Sequence, residues 1–101
     1  MAIHFNSRHI LWACKQGDVG LVKFLIEGGF DPLKKVKIGN NNYVIPIHLY
    51  GISNRNMNEN KKRRDVKKIK KMMIEYVLSK EFEAFFFAEE LETLFSASTI
   101  A

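Results

Sequence analysis

The chain has 101 residues, of which 47% are hydrophobic and 27% charged, with one cysteine and a formal net charge of +5. That balance is expected of a folded globule and excludes a disordered polar segment, and the length suits one small domain with a thin core. A single thiol excludes an internal disulfide and fits a reducing compartment, no apolar run approaches the ~20 residues that span a bilayer, and the first six residues lack the pattern of a Sec-type leader.

The charge is segregated. Residues 61–80 hold nine Lys/Arg against Asp65 and Glu75, a local +7, whereas residues 81–101 hold five Glu and no Lys or Arg, a local −5. Such patterning bears on partners or on internal pairing, not on fold.

In chain order, residues 7–15 read as a first helix with Ser7 as its N-cap. Gly17 stops it, and Asp18 caps a second helix over residues 18–27, where Leu21, Val22, Leu25 and Ile26 recur at helical spacing. Gly28-Gly29 ends that helix. Residues 34–44 alternate Val36 and Ile38 with lysines around Gly39-Asn40-Asn41-Asn42, which is the chemistry of a hairpin with short strand-like arms. Ile45-Pro46-Ile47-His48-Leu49-Tyr50 opens a second unit, with the proline suited to a first helical turn. Residues 53–60 form a polar, asparagine-rich insertion. A return helix is expected over residues 64–79, with Val66, Ile69, Met73, Tyr76 and Val77 as its apolar stripe. Residues 81–95 give one more helix, carrying Phe82, Phe85, Phe86, Phe87 and Phe95, and residues 96–101 read as a loose tail.

The run Trp12-Ala13-Cys14-Lys15-Gln16-Gly17-Asp18, continued through Leu21-Val22, Leu25-Ile26 and Gly29-Phe30-Asp31, resembles an ankyrin repeat, whose usual text is T-P-L-H-x-A-A-x-x-G-x-x-x-V-V-x-x-L-L-x-x-G-A-D. Ala13-Cys14 stand for the small pair, and Ile45-Pro46-Ile47-His48 for the T-P-L-H of a second copy. Arg8-His9-Ile10-Leu11 departs from the pattern. Ile10 and Ile47 lie 37 residues apart, against ~33 for the repeat. The resemblance implies an all-α fold in one ankyrin-like domain over residues 1–95: repeat one at 7–44, repeat two at 45–80 and a capping helix at 81–95. A flexible tail follows at 96–101. It also implies a non-catalytic protein–protein interaction module. The partner face would take Arg8, Trp12 and Lys15 from the first helix, and Lys35, Lys37, Asn40, Asn41 and Tyr43 from the finger. His48 would hydrogen-bond neighbouring loop backbone. Since roughly three repeats are normally needed, the phenylalanine helix is expected to cap the open end; otherwise a second copy would pair there as a homodimer.

Lys61, Lys62, Arg63, Arg64, Lys67, Lys68, Lys70 and Lys71 form a basic run. Val66, Ile69 and Met72-Met73 fall on the other side of the same helix, which favours a solvated face. The competing readings are a nuclear-import signal at residues 61–64 and a surface for nucleic acid or an anionic lipid such as a phosphoinositide. Residues 87–95 and the small, hydroxyl-rich end resemble the glutamate-rich C-terminal export signal of type IVB-secreted bacterial effectors, with Glu89, Glu90 and Glu92 as its carriers. That resemblance implies a small effector made in a bacterial cytoplasm and delivered into a host cell. A self-associating accessory subunit of a larger protein is the third reading. His4, His9, His48 and Cys14 have no zinc-ligand spacing, and neither a carboxylate pair, a nucleophile–base pair nor a phosphate-binding glycine loop is legible. No metal, cofactor or catalytic residue is therefore expected.

Overall fold

Residue 6 begins the regular structure, ahead of the serine expected to do so. In the computed structural model, which describes the backbone of residues 5–100 and the side chains of residues 5–84, helix α1 spans Ser7–Gln16 and its N-cap is Asn6. The Asn6 Oδ1 accepts from the Arg8 N–H at 2.9 Å, and the Asn6 N–H donates to His9 Nδ1 at 2.9 Å. This is a reciprocal capping box with histidine in the place usually held by Glu or Gln. At the far end Gly17 turns left-handed at φ 68°, and its N–H and that of Asp18 return to the Cys14 and Ala13 carbonyls at 3.0 and 3.2 Å. A side chain at Gly17 would suffer twice, from the positive φ and from Met57 Cε in the space it would need.

Asp18 caps α2, Val19–Glu27, accepting from the Leu21 N–H at 3.1 Å, and Gly28 and Gly29 close it. The expected hairpin follows as β1, Val36–Gly39, and β2, Asn42–Val44, antiparallel with Val36 opposite Val44 and Lys37 opposite Tyr43. Asn41 takes the left-handed conformation of the turn at φ 64°. Only Val36 of the hairpin is buried.

Pro46–Leu49 form a 3-10 turn. The chain then bends back along α1: Gly51 and Ser53 donate N–H groups to the Cys14 and Lys15 carbonyls at 2.8 and 2.9 Å, and Asn54 Nδ2 donates to the Gln16 carbonyl at 3.1 Å. A helix C-terminus leaves carbonyls without partners, and here residues 51–54 satisfy them. Asn58 then accepts from the Lys61 N–H at 2.8 Å, the N-cap geometry for α3, which runs unbroken over Glu59–Ile100. The buried core joins Ile10, Ala13, Cys14, Val22, Leu25, Ile26, Ile47 and Tyr50 to Ile69 and Met73 of α3.

The all-α, ankyrin-like expectation is thereby corrected: the described residues fold as three α-helices, one 3-10 turn and a two-stranded antiparallel sheet. Among the described residues no second helix pair forms. Tyr50 leaves the turn with extended backbone, ψ 125°, and Gly51 is left-handed at φ 75°, the bend that delivers residues 51–54 to α1. The return helix begins at Glu59, before the expected residue 64, and does not stop at 79. Past Gly51 the sequence contains no glycine or proline, so nothing breaks the helix where a separate cap, or a loose tail at 96–101, was expected. A single helix cannot fold back over its own first half, so residues 81–95 do not cap the body.

Candidate partner-binding surface

Arg8 and Trp12 stand one turn apart on the outer side of α1, with Lys15 further along. Trp12 is 55% exposed; a tryptophan that much in water is the residue type that anchors protein interfaces. On the surface of the same two helices Phe5 and Phe24 meet edge to face at 5.8 Å, while Phe5 meets His9 in the same way at 5.1 Å. Phe24 is 57% exposed. The sequence reading missed Phe5 and Phe24. Helical spacing could not have found Phe5, which precedes the extended N-cap Asn6, whereas Phe24 stands on α2 between the buried Val22 and Leu25-Ile26.

The finger residues gather elsewhere. Ser7 and Ile10 of α1, residues 29–31, residues 34–37 and Tyr43 line a groove of about 570 Å³. Lys35, Lys37 and Tyr43 therefore share one concavity. Trp12 does not line it, because two residues past Ile10 turn a helix by about 200°. Asn40 and Asn41 are exposed at the hairpin tip. The structure thus splits the expected partner face into an aromatic face on α1–α2 and a basic groove under the hairpin.

The basic run is divided as well. Lys61 turns inward to Asp65 at 3.0 Å, and the same Asp65 oxygen accepts from the Tyr50 hydroxyl at 2.8 Å. Burial pushes the Asp65 carboxyl up, but the hydrogen bonds from Lys61 and Tyr50 and the charges of Lys61 and Arg64 outweigh it and hold it below the usual carboxylate range. Burial first, then Asp65, push the Tyr50 phenol well above its ordinary value. Lys62, Arg63, Lys67 and Lys70 line a shallow trough of about 410 Å³ with Glu59 and Val66, while Arg64, Lys68 and Lys71 are exposed along another row. Of the expected stripe, Ile69 and Met73 are buried and Val66 and Tyr76 pack at the edge of the core, but Val77 is 45% exposed.

Cys14 is fully buried, and burial pushes its thiol up to about 12, which leaves no thiolate for nucleophilic or ligand chemistry near neutrality. Among the described residues no three His, Cys, Asp or Glu side chains converge on a point that could hold a metal ion. His48 is exposed, and among the described residues its ring makes no hydrogen bond, unlike the role the resemblance implied. The 3-10 turn directs its ring outward while its backbone N–H closes the turn on the Ile45 carbonyl at 2.9 Å. His4 and the side chains of Glu89, Glu90 and Glu92 lie outside the described residues. No described helix is long and apolar enough to cross a membrane.

Comparison with protein-family models, with curated proteins and with solved structures found no match, and none identifies an ankyrin repeat.

Proposed function

We propose that the chain is a non-catalytic protein–protein interaction module that engages its partner through the aromatic face of α1 and α2. One observation carries this reading: Trp12 and Phe24 are each more than half exposed on two helices whose opposite faces are tightly buried. Keeping large aromatics in water brings no benefit to the fold, and at interfaces such residues supply most of the binding energy. Arg8 and Lys15 stand one turn either side of Trp12 on α1 and Lys23 precedes Phe24 on α2, so the complementary surface is an apolar pocket with an acidic rim. In the effector form of this reading the partner is a host protein, and Glu89, Glu90 and Glu92 carry export. Affinity capture with the wild-type chain, compared with Trp12→Ala and Phe24→Ala, tests the proposal. Both variants keep the wild-type circular dichroism and lose the captured protein. Capture unchanged in both would refute the aromatic face as the site.

The trough along Lys62, Arg63, Lys67 and Lys70 favours a second reading, a phosphate-bearing partner. Binding through these cations falls steeply with salt, whereas aromatic docking does not.

A further inference from the structure

The outer face of α3 belongs neither to the core nor to the aromatic face. Along it Arg63, Lys67, Lys70, Ile74, Val77 and Glu81 succeed one another at steps of four, three, four, three and four, and all six are exposed. That is the spacing of a coiled-coil seam. Ile74 is 61% exposed and Val77 45%, with Leu78 beside them at 58%. Together with Leu33 they line an apolar groove of about 540 Å³. An unpartnered apolar stretch midway along a helix calls for a partner.

The charge identifies that partner and its direction. The nine Lys/Arg of residues 61–80 and the five Glu of residues 81–101 sit on successive halves of one helix. The halves cannot meet within one chain, because the helix between them is unbroken. A parallel second copy would set basic half on basic half. An antiparallel copy sets each +7 half against a −5 half, and the two-fold symmetry does so twice.

We propose that two copies of this chain pair through α3, antiparallel, about a two-fold axis at Ser79, near the helix midpoint. This register puts the apolar stretch on the axis, with position 77 opposite position 81 and position 74 opposite position 84. It brings Lys70 opposite position 88 and Lys67 opposite position 91, so that Glu89 and Glu92 each follow directly after the position facing a lysine. The contact is isologous, so it closes at two copies. The pair also presents the aromatic face twice, which raises its avidity for a multivalent partner.

Sedimentation equilibrium of the full chain tests this. A dimer is expected, its affinity falling about tenfold or more between low and high salt. Lys67→Glu with Lys70→Glu, and separately Glu89→Lys with Glu92→Lys, each weaken self-association by a similar factor. Mixing the two variants restores wild-type affinity, since every facing pair is then complementary. Orientation is read by oxidative cross-linking. The chain with Lys70→Cys and Ala88→Cys gives a covalent dimer, whereas Lys70→Cys alone does not. The two positions lie about 27 Å apart along one helix, so the bridge cannot form within a chain, and buried Cys14 does not compete. Circular dichroism checks that these exposed changes leave the fold intact. A wild-type chain that stays monomeric throughout, or self-cross-linking of the Lys70→Cys chain alone, would overturn the proposal.

Discussion

The two halves of α3 obey different rules. From Glu59 to Tyr76 the helix is part of the body: Ile69 is fully buried, Met73 is 8% exposed, and Val66, Met72 and Tyr76 pack at the edge. From Val77 onward no described side chain is buried, although Val77, Leu78 and Phe82 are as apolar as the residues before them. The difference is not in composition. It lies in whether α2 and the chain around Tyr50 run alongside. A stripe of apolar residues therefore says that a face will be covered, and the neighbouring elements decide by what.

That contrast can be broken from the body outward. The largest effect is expected at the buried half: Ile69→Ala lowers stability by about 2–5 kcal/mol, whereas Leu78→Ala in dilute protein shifts it by less than about 0.5 kcal/mol. Urea denaturation of both measures the gap. Ala13→Leu is next. Ala13 is fully buried, and the larger side chain overpacks it by about 1–3 kcal/mol. A smaller effect, about 1 kcal/mol, is expected for Tyr50→Phe, which removes a hydrogen bond to Asp65 while Lys61 keeps the carboxylate partnered. Asp65 gives this cluster a pH signature. Its folded value is depressed, so its contribution is full above the unfolded carboxylate range and is lost as pH falls through the folded value. Asp65→Asn is thus less stable than wild type at neutral pH and converges with it in acid. Tyr50 has the opposite sign: its value is raised, so its contribution is lost only in strong alkali. The smallest effect belongs to Glu89→Ala with Glu90→Ala and Glu92→Ala, which leaves the melting temperature of dilute protein unchanged, because these positions do not reach the body. Loss of translocation in a type IVB reporter by this variant would support the export reading; normal translocation would remove it.

Legibility in the sequence followed the local chemistry. Gly17, Asp18 and Gly28-Gly29 announced the first two helices because each has one conformational task that other residues perform badly, and Gly39-Asn40-Asn41 announced the hairpin in the same way. Asn6 was missed because its capping box uses His9, an unusual partner. The 3-10 turn was mistaken for a helix start because Pro46 serves both. The long helix was divided because the ankyrin pattern closes its second repeat near residue 80, while the absence of glycine and proline beyond Gly51 was the stronger signal. Of the candidate site, Trp12 was visible as a possible anchor, but its exposure depends on which face of α1 the loop at residues 50–54 covers, and that is a tertiary fact.

Amide hydrogen exchange at two protein concentrations tests the division of α3 most directly. The account expects residues 59–76 to be protected at both, and residues 81–100 to be protected only at the higher concentration, where a second copy covers them. Equal protection of both halves at every dilution, or loss of protection in residues 59–76 on dilution, would contradict it.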